Sequence, residues 1–158
     1  METVKTYTVE EAKRRMEVFC AYQERYQAEV VEKLRQMRMI PLAIDEIMVY
    51  LIQNNFLNEE RFAKSFVRGK LRYKKWGKIR IKRELKFRGL STYIINSAME
   101  EIDDEEYEEI FDSLAEKKQA EIKEKSVYKA KRKLADYLLY RGWESELVYN
   151  KVHELYED

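Results

Sequence analysis

Residues 85–102 read LKFRGLSTYIINSAMEEI, and residues 138–155 read LLYRGWESELVYNKVHEL. Laid over one another at an offset of 53 with no gap, they pair Leu85 with Leu138, Phe87 with Tyr140, Arg88 with Arg141, Gly89 with Gly142 and Leu90 with Trp143. The pairing continues through Ile94 and Leu147, Ile95 and Val148, Met99 and Val152, and Ile102 and Leu155. Each stretch reads as the end of one helix, an Arg-Gly stop, and a second helix. A weaker echo lies at residues 34–51, LRQMRMIPLAIDEIMVYL, at an offset of 51. There Leu34, Met39, Ile44, Ile47 or Met48, and Leu51 keep the apolar frame, but the Arg-Gly stop is absent and Pro41 supplies the break. Internal repetition of this kind marks an array in which neighbouring units share buried surface. It predicts an all-α, elongated array of three tandem three-helix repeats: residues 1–57, a strongly basic 58–102, and 103–158 opening on an acidic helix.

Outward from these stretches, apolar spacing is helical nearly everywhere. Ala12, Met16, Phe19 and Cys20 form one stripe, with Thr8 and Glu11 as a capping box before it. Tyr26, Val30, Leu34 and Met37 form a second, and Ile44, Ile47, Met48, Leu51 and Ile52 a third. Asn58 is placed to cap a fourth helix bearing Phe62, Ala63, Phe66, Val67 and Leu71. Gly77 separates it from a fifth with Ile81 and Leu85. Ser91 or Thr92 opens a sixth; Tyr107, Ile110, Phe111, Leu114 and Ile122 mark a seventh. Ser126 caps an eighth, and Leu147, Val148, Val152, Leu155 and Tyr156 mark a ninth. Nine helices and no sheet are expected, with tight links at Asn55–Asn58 and near Asp103–Glu105.

Composition excludes several classes. The 158 residues hold four Gly and one Pro, too few for a β-sandwich or barrel. No glycine-rich phosphate cradle occurs. One Cys and one His exclude a disulfide framework and a Cys- or His-rich metal centre within one chain. No apolar run is long enough to span a membrane, and the N-terminal order of a signal peptide is missing, so a cytoplasmic setting is expected. Ser126-Val-Tyr-Lys129 matches a bare Ser-x-x-Lys, but Ser126 reads as a helix cap and no catalytic constellation can be assembled. Cys20 reads as core and His153 as surface. No enzyme activity and no cofactor or metal is expected; the acidic helix lacks the spacing and glycine of an EF-hand.

The net charge of +1 conceals segregation. Residues 61–88 carry 13 basic side chains and 1 acidic; residues 100–124 carry 3 basic and 12 acidic. Residues 1–60 are mildly acidic, with 8 basic and 11 acidic. The two strong blocks either pair with each other as solvated helix faces, or the basic one meets an external anion. Within it, Lys64, Arg68 and Arg72 share one helix face at spacing four. Lys74, Lys75 and Lys78 cross a turn, and Arg80, Lys82, Arg83 and Lys86 lie on the next helix. Trp76, with Tyr73, sits among these cations and either plugs a seam between units or stacks on bases. These residues are the candidate partner and nucleic-acid surface. Arg61, three residues past the cap, reads as a contact or as an ion pair with Glu84 or another acidic neighbour.

FLNEERFAKSFVRGKL, residues 56–71, and WGKIRIKRELKFRGL, residues 76–90, resemble the signatures of the RecX family of bacterial RecA regulators. Gly77, Arg80, Ile81, Glu84, Leu85 and Gly89 fill the fixed positions of the second motif, and Arg141-Gly142-Trp143 fits the third repeat. The similarity covers residues 10–156. The first unit departs by lacking the glycine after its second helix, which leaves that turn's geometry open. The resemblance implies a tandem three-helix-repeat fold without catalysis, acting as a monomer on the RecA–single-stranded-DNA filament. It would lodge in the filament groove and restrain recombinase, ATPase and co-protease activities. Direct filament contact with some phosphate assistance is the preferred reading, weak binding to bare DNA being possible within it. Charge reversal at Arg68, Arg72 and Arg83 is then expected to abolish inhibition. The alternatives are a freestanding nucleic-acid-binding module and a general helical adaptor.

Overall fold

The computed structural model describes residues 5–157. Among them it forms nine helices and no strand: α1 (Val9–Tyr22), α2 (Gln27–Gln36), α3 (Pro41–Gln53), α4 (Glu59–Arg72), α5 (Lys78–Phe87), α6 (Thr92–Met99), α7 (Asp104–Glu121), α8 (Val127–Tyr140) and α9 (Ser145–Leu155). The starts follow local chemistry. Thr8 and Glu11 close a reciprocal capping box, Pro41 occupies the first turn of α3, and the side chains of Asn58, Ser91, Asp103 and Ser126 each accept a backbone N–H. Of the two candidates for α6, Ser91 is the cap.

The helix stops show how closely the repeat holds. Gly89 and Gly142 end α5 and α8 at φ 84° and 91°. In each, the glycine N–H bonds back three residues and the next N–H five, as in Leu90 to Leu85 at 3.3 Å and Trp143 to Leu138 at 3.2 Å. After α2 the same pair of bonds recurs, Arg38 to Arg35 at 2.9 Å and Met39 to Leu34 at 3.1 Å. The missing glycine therefore leaves the turn unchanged: Arg38 itself adopts φ 62°. A side chain there costs about 1 kcal/mol relative to glycine.

Helices α1–α3 pack on one another, as do α4–α6 and α7–α9, with α4 also against α7. Burial is divided in two. One core runs from Phe62 to Val152 and unites α4–α9 around Phe111, Leu134, Leu138 and Trp143. The other, from Ala12 to Leu57, belongs to α1–α3 and includes Met16, Met37 and Met48. Sharing between neighbours is thus complete for the second and third units but slight for the first. There Tyr26 packs on Phe62, ring centroids 5.2 Å apart, beside an ion pair: Arg61 Nε reaches both carboxylate oxygens of Glu24 at 2.7 and 2.8 Å, and its other nitrogen reaches the carbonyls of Asn55 and Phe56. Of the two roles open to Arg61, it takes the ion pair, with Glu24 as partner. The accessible surface, 10682 Å², exceeds by about a quarter the ~8,500 Å² expected of a compact monomer of this mass, in keeping with an extended array.

The second and third units meet backbone to backbone. The Gly77 N–H donates to the Arg141 carbonyl at 2.8 Å and the Ile79 N–H to the Gly142 carbonyl at 3.0 Å. Indole Nε1 of Trp143 donates to the Lys75 carbonyl at 3.1 Å, and Arg141 to that of Lys74 at 2.6 Å. Trp143, 1% exposed, packs on Tyr107 and Phe111, while the Tyr107 hydroxyl accepts from the Lys78 N–H and donates to Glu144. The Gly-x-x-Arg and Arg-Gly-Trp motifs are therefore seam chemistry.

Candidate functional site

The basic block divides into two populations. On α4, Lys64 and Arg68 both approach Glu101, at 3.2 and 3.7 Å, and Arg72 clasps Glu106 through two nitrogens at 2.7 and 3.3 Å. The Arg72 hydrogen bond holds Glu106 below the usual carboxylate range and raises the guanidinium in turn. Lys78 lies 4.0 Å from Asp104 and over the Tyr107 ring. The stripe at spacing four is thus matched, internally, by the start of the acidic block. Glu101 comes to α4 because α4 packs on α6, and Glu106 because α4 packs on α7.

Arg80 and Trp76 sit in the seam. The Arg80 guanidinium lies 4.1 Å from the Trp76 ring and 5.1 Å from that of Tyr140, sandwiched between units. Trp76 is half-buried, edge-on to Phe66. Lys70, beside it, has its pKa lowered by burial first and then by the neighbouring Lys74 and Arg88 charges.

The remainder is exposed, except for the half-buried Lys75. Among the described residues, none of Lys74, Lys75, Lys82, Arg83 and Lys86 has a carboxylate within salt-bridge distance. On α5 the buried face is Ile81 and Leu85. The opposite face presents Ile79, Lys82, Arg83, Lys86 and Phe87, at the i, i+3, i+4, i+7, i+8 spacing of a single helix surface. Phe87 is 87% exposed. Against this face, Thr92, Ile95 and Asn96 of α6 complete a groove of about 430 Å³. Sequence reasoning named the three cations and missed Ile79, Phe87, Thr92 and Asn96. The signal for Phe87 was present: its repeat partner Tyr140 is also aromatic and also exposed.

This arrangement can bind an anionic surface. Among the described residues no group of His, Cys, Asp and Glu is placed to hold a metal ion, and no helix is long and apolar enough to cross a membrane. Cys20 is buried, its thiol pushed up to about 11 by burial.

Two family models match the chain: the second three-helix domain of RecX over residues 58–99 and the third three-helix domain of RecX over residues 104–152. The chain belongs to the RecX family. The crystal structure of RecX from Lactobacillus salivarius superposes with a TM-score of 0.80 at 26% identity, covering 93% of this chain and 96% of that one. The regulatory protein RecX of Clostridium beijerinckii is 31% identical over 122 residues, 76% of this chain and 56% of that protein. That of Bacillus cytotoxicus is 27% identical over 140 residues, 89% and 52% respectively. The chain spans about half the length of these curated RecX relatives. Relatives carrying the name regulatory protein RecX place this chain in a regulatory family.

Proposed function

We propose that the chain binds the RecA–single-stranded-DNA filament and restrains recombinase, ATPase and co-protease activity, with no catalysis of its own. In this reading it acts in the cytoplasm as a monomer of three units, 1–57, 58–102 and 103–158. The observation that carries it is the α5 face, where three unpaired cations alternate with exposed Ile79 and Phe87 beside the α6 groove. Confining like charges on one short helix costs self-repulsion, which a polyanionic partner relieves. The apolar side chains add shape-specific contact that a purely electrostatic DNA clamp would not need. Rigid docking of the second unit on the third presents that face as one body, and an extended array can touch more than one subunit of a filament.

The pairing of α4 changes the choice of variant. Reversing Arg68 or Arg72 would set new carboxylates against Glu101 and Glu106 and disturb packing as well as binding. The cleaner test is Lys82→Glu, Arg83→Glu and Lys86→Glu together, measured by disassembly of a RecA filament on single-stranded DNA. Loss of inhibition with unchanged helicity is expected, as is preference for the filament over bare DNA. Undiminished inhibition by the triple variant defeats the assignment; equal, salt-steep binding to bare DNA favours the freestanding nucleic-acid module instead.

A further inference from the structure

The mildly acidic first unit gathers six of its eight cations in one place. Between α1 and α2 lies an open basin of about 1000 Å³ whose lining includes Lys5, Arg14, Arg15, Arg25, Lys33 and Arg38 and, among the described residues, no carboxylate. Arg14 and Arg25 are engaged: the first with Glu10, Glu17 and Tyr50, the second with Glu29 and the Phe19 carbonyl. Among the described residues, Arg15, Lys33 and Arg38 have no such acidic partner. Aromatic rings hold two of them in position, Arg15 over Tyr7 at 4.9 Å and Lys33 near Phe19 at 5.7 Å. At the rim Tyr22 is 83% exposed and Val18 70%.

A second observation is independent of charge. Arg38 stands where the other two units carry Gly89 and Gly142, and it adopts the same left-handed backbone at φ 62°. Glycine there would be more comfortable. Its side chain is one of those that line the basin, so a position whose backbone favours glycine carries a guanidinium there.

We propose that this basin binds single-stranded nucleic acid, its phosphates on Arg15, Lys33 and Arg38 and a base on the free face of Tyr22. A concave site of this size admits a flexible strand, whereas a stiff duplex would need a convex element to enter its groove. Cations beside an open aromatic ring are the combination that single strands use; an acidic peptide would leave the Tyr22 face without a planar partner. The site is separate from the α5 face and does not depend on the role proposed for it.

The test is a titration of fluorescently labelled oligo-dT with the full chain over a range of salt concentrations. The variants are Arg15→Gln/Lys33→Gln/Arg38→Gln, Tyr22→Ala, and the α5 triple reversal, with circular dichroism as the check on folding. Loss of three phosphate contacts should flatten the slope of log affinity against log salt by about 2 and weaken binding at least tenfold. Tyr22→Ala should weaken binding with the slope unchanged. The α5 variant should keep the contribution of the basin even if it abolishes filament inhibition. A basin triple variant that folds and binds oligo-dT with the original affinity and slope overturns the proposal. So does displacement of oligo-dT by poly-glutamate at equal charge concentration, which would make the occupant an acidic peptide.

Discussion

Gly89 and Gly142 occupy equivalent positions in two units, with nearly the same left-handed φ of 84° and 91°, yet they should respond differently to one added methyl. A Cβ on Gly89 meets nothing within 4 Å. Gly89→Ala therefore carries only the backbone penalty, about 1 kcal/mol. A Cβ on Gly142 would lie 2.5 Å from the Arg80 amide nitrogen and 2.8 Å from its Cα, inside backbone that cannot rotate away. Relief requires the α4–α5 turn to lift off the α8–α9 turn. That movement weakens the bonds from Gly77 to Arg141, from Ile79 to Gly142 and from Trp143 to Lys75, each worth about 1 kcal/mol. Gly142→Ala should thus cost about 4 kcal/mol, some 3 more than its counterpart. Urea denaturation followed by far-UV circular dichroism at constant m-value measures both. Costs equal to within about 0.5 kcal/mol would show that the seam does not tie the two units together, and the rigid presentation of α5 would fall with it.

Alkaline pH should destabilise the fold. Burial raises the Cys20 thiol to about 11, and burial with the Glu144 hydrogen bond raises the Tyr107 hydroxyl well above its ordinary range. Both groups ionise more readily unfolded, so their contribution is complete below about pH 9 and declines as pH rises; for Cys20 alone the loss is about 2 kcal/mol by pH 11. Melting temperature followed from pH 7 to 11 should fall, and Cys20→Ala should fall less steeply; parallel curves would contradict the assignment. Arg61→Ala should loosen the first unit from the second, at a cost of about 1 kcal/mol for a half-exposed pair. Limited proteolysis should then cut faster between residues 54 and 58, and an unchanged digestion pattern would show that the Arg61–Glu24 contact is dispensable.

The repeat, the helix count and nearly every cap were legible in the chain because they rest on local chemistry. Period, capping side chains and stop residues act within a few positions of one another. The core stripes were legible for the same reason: Phe62, Ala63, Val67 and Leu71 must share a face wherever that helix docks. The family signature was readable too, since it spans consecutive residues. Arg38 was different. Its sequence position said only that a glycine was missing, and the turn it forms became visible only in the backbone.

Which cations remain available is a question about separations in space, and the chain order does not contain it. Lys64, Arg68 and Arg72 look as free as Lys82, Arg83 and Lys86 in a tally of charge. Docking of α4 against α6 and α7 brings Glu101 and Glu106 to the first set, while α5 turns the second set to solvent. The same holds for the first unit, whose acidic total hides a basin with, among the described residues, no carboxylate in its lining. Coulombic energy depends on distance between tips, and only the packing of helices sets those distances.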